Sequence, residues 1–164
     1  VLVEHPEAML AVEIIGRGFK VNRTFPEGEL TGELVTVELG ELVAEPVTRV
    51  VVRDPSASED DFIRLAHRLG MDGVSYFIGY TAWLDIAPDG VDKSYGLAGL
   101  CADLGIEAAD VLALGDGRND IEMLTWAGRG VALGDAPAEV REAADHVTDR
   151  FADGGTAREL SRWF

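Results

Sequence analysis

The stretch VLALGDGRND, residues 111–120, decides the fold class of this chain. Its first four residues are apolar on both faces and too few for a helix, which is typical of a buried strand in a parallel sheet. Glycine, aspartate and asparagine dominate the remainder, so the chain is expected to turn sharply where the strand ends. In open α/β sheets, ligands bind beyond the carboxyl ends of the strands. The stretch therefore predicts both a fold class and the place of a site.

Strand and helix patterns alternate on both sides of this stretch. Upstream, a helix with apolar residues on one side, Leu97, Leu100, Cys101 and Leu104, ends at Gly105. Downstream, we predict a helix over 119–127, a strand over 130–133, a helix from Pro137, a strand over 146–148 and a final helix opened by a capping box from Thr156 to Glu159. Such alternation is typical of a doubly wound α/β sheet, although the strands are too few for a whole one.

The first half of the chain is rich in strand patterns instead. Predicted strands span 11–15, 19–23, 34–39, 48–53, 74–80 and 83–86, the last two on either side of Thr81. The first two flank the turn Gly16-Arg17-Gly18, which indicates a hairpin. One helix is predicted over 59–69, with Ser58 as its cap and Gly70 as its end. We predict a small α+β domain over residues 1–89, followed by the α/β part over residues 90–164.

The chain is strongly acidic, with 30 Asp and Glu against 14 Lys and Arg and a formal charge of −16. This balance argues against a nucleic-acid or anionic-membrane partner, because such partners attract clusters of cations. No apolar run approaches the ~20 residues that span a bilayer. The one cysteine, Cys101, excludes an internal disulfide and fits a reducing compartment. We therefore predict a cytoplasmic protein.

Several polar residues in and before the deciding stretch suit phosphate chemistry. Asp116 and Asp120 could both face one site and hold Mg²⁺, and Asn119 adds a neutral donor. Lys93, one of two lysines in the chain, could bind a phosphoryl oxygen. The alternatives are a simple turn with a helix cap and a solvated lysine, and both stay open on these residues alone. Arg118 could reach a phosphate or stay in solvent.

The order of the motifs resembles the Cof-type hydrolases of the haloacid dehalogenase (HAD) superfamily. The motifs are GVDK at 90–93, LALGDGRND at 112–120, GVALGDAP at 130–137, AADHVT at 143–148 and the glycine pair at 154–155. The resemblance implies a partial doubly wound, Rossmann-like core over residues 90–164, representing its C-terminal half. It also implies that residues 1–89 are a smaller α+β cap domain, incomplete at its N-terminus.

The resemblance also implies a mechanism. Asp116 matches the Mg²⁺-binding aspartate and Lys93 the lysine that holds the transferring phosphoryl group. Asn119 matches a substrate-contacting position. Asp120 matches an acidic residue that supports the metal site or positions the lysine. The implied activity is hydrolysis of a small phosphorylated metabolite, such as a sugar phosphate, nucleotide or cofactor phosphate, through an aspartyl-phosphate.

The sequence departs from the family at the nucleophile, because it contains no Asp-x-Asp-Gly-Thr segment. Asp60 and Asp61 lie inside the predicted helix 59–69, Asp72 follows the end of that helix, and Asp85 lies in a predicted strand. We therefore expect the nucleophile to lie outside this chain. The expected partners of the chain are a small phosphorylated substrate and either the missing N-terminal half of the core or a second copy of the chain. The alternative is a non-catalytic fragment that binds a phosphate-bearing ligand or a partner protein.

Other conspicuous side chains are expected to be structural. Trp83, Tyr76 and Tyr80 are predicted to pack in the first domain, with contact between one of them and substrate as the alternative. His5, His67 and His146 show no metal-ligand spacing.

Overall fold

A computed structural model of the chain describes residues 1–71, 73–79 and 82–164. The predictions that involve Asp72, Tyr80 and Thr81 lie outside the described residues. The chain divides into two compact units, Val1–Gly90 and Val91–Phe164. The first is a mostly antiparallel sheet with helices, and the second is a parallel sheet with helices, so the α/β class is confirmed. Within the described ranges, no helix has the length and apolar character needed to cross a membrane.

The first unit is built on a six-stranded sheet in the order β3-β2-β1-β4-β6-β5. Its strands are β1 (Met9–Ile14), β2 (Gly18–Val21), β3 (Glu33–Thr36), β4 (Val50–Arg53), β5 (Val74–Gly79) and β6 (Trp83–Pro88). The predicted hairpin is confirmed, with Ala11 opposite Val21. The pairs are antiparallel except for β2 with β3, which is parallel.

The strand predicted over 34–39 is too long. β3 ends at Thr36, and a one-turn helix, α1 (Leu39–Leu42), begins three residues later. All four residues of β3 are exposed, so the alternation of apolar and polar residues here marks no buried face. An edge strand without a buried face has little to hold its last residues in the ladder.

The helix predicted over 59–69 is confirmed as α2 (Glu59–Leu69). The Ser58 side chain accepts from the backbone of Asp61, whose carboxylate accepts from the backbone of Ser58, and this capping box fixes the first turn. Phe62 is fully buried against Leu84 of β6, in a cluster that covers one face of the sheet. A second cluster, around Phe19 and Phe25, lies on the strands separately from it. Leu69, the last residue of the helix, is 46% exposed.

The second unit is built on three parallel strands, β7 (Leu112–Gly115), β8 (Arg129–Ala132) and β9 (His146–Val147), in that order. Its helices are α3 (Lys93–Leu104), α4 (Ile121–Trp126), α5 (Ala138–Ala143) and α6 (Gly155–Leu160). Its core contains the fully buried Leu124 of α4 and Val140 of α5, packed with small alanines from the strands. The predicted apolar side of α3 buries Cys101, whereas Leu100 and Leu104 are more than half exposed.

The capping box predicted from Thr156 to Glu159 is wrong. Gly154, at φ +79°, is the N-cap of α6, and Thr156 already lies inside the helix. Glu159 is fully buried and accepts a hydrogen bond from Nε of Arg129 at 2.7 Å, so it does not cap the helix. The helix predicted to start at Pro137 starts one residue later, at Ala138, and Pro137 is its N-cap.

Candidate active site

Asp116 follows the last residue of β7, at the carboxyl end of the parallel sheet. Its side chain is exposed, in contrast to the buried Gly115 before it. The backbone of Gly115 accepts a hydrogen bond from Leu133 at 2.9 Å, which ties this loop to the end of β8. The strand thus delivers one carboxylate to the edge of the sheet where ligands bind in such folds.

Asp120 closes a single 3-10 turn, Arg118–Asp120, that leads into α4. Its Oδ2 atom accepts backbone hydrogen bonds from Asp116 and Gly117, both at 2.9 Å. Its Oδ1 atom accepts from Nζ of Lys93. The residue is only 4% exposed, so its carboxylate is fixed from both sides inside the loop. These backbone donors were not foreseen from the sequence, although an aspartate three residues after a turn glycine is a capping-box spacing.

The surroundings of Asp120 keep it ionised. Burial alone would raise the pKa of this carboxyl, but the hydrogen bonds from Lys93 and from the amides of Gly117 and Asp116 more than offset burial. The pKa therefore lies below the ordinary value for aspartate. A buried carboxylate held in this way carries a full negative charge opposite the lysine.

Lys93 is the first residue of α3. The Asp92 side chain caps this helix by accepting from the backbone of Tyr95 at 3.0 Å, which fixes the position of the lysine backbone. The Lys93 side chain is 49% exposed, so its ammonium contacts Asp120 and still reaches solvent. An ammonium has more than one N–H donor, and those not used by Asp120 are available to a ligand.

Position 115 requires glycine because a side chain would not fit there, and its backbone conformation is not the reason. A methyl group there would lie 2.5 Å from Cβ of Asp120 and 2.8 Å from its Oδ2. At Gly117 a methyl group would meet Oδ1 of Asn119 at 2.6 Å, the movable end of a side chain. The first glycine thus makes room for the carboxylate that holds the lysine.

The contacts of Arg118 and Asn119, the other two polar residues of the loop, do not assign either side chain to a ligand. Arg118 donates from Nε to Oε1 of Glu139 on α5 at 2.5 Å, so it is neither free in solvent nor committed to a ligand. Asn119 is half-buried within the turn. Its role in contacting substrate stays a prediction, as do the roles of the other site residues.

A family model for haloacid dehalogenase-like hydrolases matches residues 33–160, most of both units. The chain belongs to the haloacid dehalogenase-like hydrolase family. Similar solved structures include a HAD subclass IIB sugar phosphatase, BT4131, with a TM-score of 0.80. That structure is 22% identical in sequence and shows the fold alone; the match covers 99% of this chain and 63% of that one.

Two curated HAD phosphatases are similar in sequence. The 5-amino-6-(5-phospho-D-ribitylamino)uracil phosphatase YitU of Bacillus subtilis is 32% identical over 137 residues, which cover 79% of this chain and 49% of that protein. The phosphoglycolate phosphatase of Methanothermobacter thermautotrophicus is 34% identical over 126 residues, 72% of this chain and 56% of that protein. The chain therefore spans about half the length of these relatives.

The loop offers one carboxylate that fits a metal ion. Asp120 already accepts hydrogen bonds on both oxygens, which favours positioning of Lys93 over direct metal binding. The exposed Asp116 carboxylate suits Mg²⁺, which takes one or two protein carboxylates and completes its shell with water and phosphate oxygens. Among residues 1–71, 73–79 and 82–164, no group of three His, Cys, Asp or Glu side chains could hold a metal.

Proposed function

We propose that this chain belongs to a Mg²⁺-dependent phosphatase that hydrolyses a small phosphate monoester, with Asp116 as a metal ligand and Lys93 as the phosphoryl-binding residue. The observation that carries the proposal is the Lys93–Asp120 pair at the carboxyl end of β7. A surface ammonium backed by a buried, ionised carboxylate is oriented before any ligand arrives, which is what electrostatic catalysis requires. Bound at Asp116, Mg²⁺ would neutralise charge on the phosphoryl oxygens.

Lys93 would act on the group being transferred. Charge builds on the phosphoryl oxygens during transfer, so an ammonium fixed beside them stabilises the transition state more than the ground state. Loss of one such fixed donor typically costs about 10²- to 10³-fold in kcat. Asp120 does not touch substrate in this scheme, because both its oxygens face Lys93 and the loop backbone. It is a positioning residue.

The nucleophile would come from outside these 164 residues. A carboxylate oxygen forms a bond to phosphorus as the ester P–O bond breaks and the alcohol leaves with a proton. Water then cleaves the aspartyl-phosphate to inorganic phosphate and regenerates the carboxylate. We propose that this carboxylate belongs to the N-terminal half of the core.

The substrate class follows from the chemistry of the site and from the similar enzymes. The two relatives are named as phosphatases of a phosphorylated ribitylaminouracil and of phosphoglycolate, and one structural neighbour is a sugar phosphatase. All are phosphate esters of small molecules, which supports a small phosphorylated metabolite as the substrate here. The acidic charge of −16 is unfavourable for nucleic-acid substrates.

The test is phosphate release by the protein expressed from its complete natural gene, with and without substitutions, on sugar phosphates, nucleotides and phosphoglycolate, with Mg²⁺ and after chelation. Asp116→Ala and Lys93→Met should each lower turnover by about 10²-fold or more. Arg64→Met, on the exposed side of α2, is the control for losing one cation and should keep full activity. Turnover that survives chelation or either site variant would overturn the proposal.

The alternative is a fragment that binds a phosphate-bearing ligand without turning it over. It is favoured by one observation, the absence of an Asp-x-Asp-Gly-Thr segment beside an otherwise ordered lysine site. Calorimetry with a phosphate monoester separates the two functions. Binding that depends on Lys93 but yields no phosphate, with the natural protein and Mg²⁺ present, would select the fragment.

A further inference from the structure

A rigid polar network lies on one face of the sheet of the first unit. Arg49, which immediately precedes β4, binds Asp85 of β6 at two points, Nε to Oδ1 at 2.5 Å and Nη2 to Oδ2 at 2.7 Å. Nε1 of Trp83 donates to the same Oδ2 atom at 2.9 Å. The hydrogen bond to Asp85 raises the pKa of Arg49, although burial opposes this effect. The guanidinium is therefore charged and fixed in direction.

Aromatic side chains lie beside this network. In the register of β5 and β6, Phe77 is opposite Asp85 and Gly79 is opposite Trp83. A methyl group on Gly79 would lie 3.5 Å from Cε1 of Phe77 and 3.6 Å from Cβ of Trp83. The glycine thus leaves a gap about the size of a methyl group between the Phe77 ring and Cβ of Trp83. The Trp83 ring also makes an edge contact with Phe25, at a centroid distance of 6.2 Å.

The network is half-buried and open to solvent. The Arg49 and Asp85 side chains are 37% and 23% exposed. Asp85 uses the Nε–Nη2 edge of the guanidinium, and Nη1 has no hydrogen-bond acceptor among the described residues. A half-buried arginine with an N–H group left over, beside aromatic rings, is a place where a planar ligand can stack and also accept a hydrogen bond.

The charge of the network selects the ligand. Asp85 raises the pKa of Arg49 most, and the charge of Glu13 raises it slightly further, so two carboxylates act on one guanidinium. Such a site does not attract an anion, because the arginine is already neutralised. A neutral acceptor such as a carbonyl oxygen is not repelled by the two carboxylates.

We infer that Arg49, Trp83, Asp85 and Phe77, here called the Arg49 platform, form a binding site for a neutral planar ring that carries carbonyl oxygens. The ring stacks at the gap over Gly79, and a carbonyl oxygen accepts from Nη1 of Arg49. This site goes beyond the proposed phosphatase activity and concerns the first unit alone. The site recognises the ring itself, so its ligand is either a free ring or a ring within a phosphorylated compound.

The probe is uridine, a neutral pyrimidine dione without phosphate, measured by calorimetry on the chain as it stands. Ribose 5-phosphate, which lacks the ring, is the ligand control, and uridine 5′-phosphate tests whether the phosphate adds affinity. Arg49→Met should weaken uridine binding by about tenfold or more, as expected for a hydrogen bond from a charged donor. Arg64→Met removes an exposed arginine of α2 and should leave binding unchanged.

Two further variants keep the test independent of folding. Arg49→Lys keeps the charge but loses the two-point fork, and it should weaken uridine binding as Arg49→Met does. Trp83→Phe keeps a ring and loses the hydrogen bond to Asp85; it should weaken binding and remove the uridine-induced change in tryptophan fluorescence. Circular dichroism of each variant confirms that the fold is retained.

The outcomes separate this site from the phosphatase site. No uridine binding, equal binding of ribose 5-phosphate in competition with uridine, or an Arg49→Met variant that binds as the parent does would each overturn the Arg49 platform. Asp116→Ala should bind uridine normally. If it does so and phosphate release proves independent of Asp116, the proposed phosphatase function fails while the platform stands.

Discussion

Lys93 and Asp120 lie 27 positions apart in the chain and are joined by a hydrogen bond from Nζ to Oδ1. Their exposures are opposite: the aspartate side chain is 5% exposed and the lysine side chain 49%. The buried member is fixed by two backbone amides, so it acts as an anchor, and the exposed member extends from it to solvent. The position of the ammonium is therefore set by the loop after β7 as well as by α3.

Removal of the Asp120 charge should release the lysine. In Asp120→Asn, an amide nitrogen or oxygen replaces each carboxylate oxygen, so one of the two contacts, with Lys93 or with the loop amides, meets the wrong partner. We expect kcat for phosphate release to fall about 10²-fold. Asp103→Asn, at an exposed position of α3, is the matched control and should keep the parental rate.

The same pair makes stability depend on pH in a defined direction. The pKa of Asp120 is lowered in the folded protein, so the folded state favours the ionised form. Its contribution is fully present above the ordinary aspartate pKa and is lost as the pH falls through the lowered value. Denaturant titrations should show the stability gap between parent and Asp120→Asn shrinking in acid. A gap that is constant with pH would contradict this assignment.

Gly115 and Gly99 should respond oppositely to alanine. At position 115 the new methyl group overlaps the Asp120 side chain, so we expect a loss of about 1–3 kcal/mol in the free energy of unfolding and a displaced carboxylate. Gly99 lies inside α3 with open space around it, so alanine there should stabilise by up to about 1 kcal/mol. Urea unfolding of both variants measures the contrast. Equal effects at the two sites would show that space at position 115 is not limiting.

The parts of this structure that the sequence predicts well are those with strong local signals. The helix 59–69 has its cap, its apolar face and its terminating glycine in the sequence, and both ends are confirmed. The loop after β7 was likewise marked by its glycines and carboxylates. The contacts that give the loop its chemistry are not local: Lys93 reaches Asp120 from another helix, and Arg118 finds Glu139 on α5.

The capping box at Thr156 failed for the same reason. The spacing of Thr156 and Glu159 fits a helix start, but a tertiary partner decides where the glutamate points. Arg129, at the beginning of β8, is 30 positions away and supplies that partner. A rule based on neighbouring residues does not include a contact of this range. Leaving the buried Glu159 carboxylate without Arg129 would cost more than the modest gain from a cap.

Glu159 is therefore predicted to be a stability determinant of the second unit. The hydrogen bond from Arg129 lowers its pKa and outweighs the opposing effect of burial, with further help from Trp163 and Arg162. Glu159→Gln should lower the free energy of unfolding by roughly 2 kcal/mol, less than for a fully buried pair, because Arg129 is 29% exposed and can rehydrate.

The control for Glu159→Gln is Glu142→Gln, an exposed change of the same chemistry on α5, which should be close to neutral. Because the pKa of Glu159 is lowered, its contribution exists above the ordinary glutamate pKa and is lost as the pH falls through the folded value. Chemical denaturation of parent and variants at neutral pH and in acid tests both statements. The two variants should differ clearly at neutral pH and converge in acid, and the opposite trend would mean that Glu159 is held protonated inside the fold.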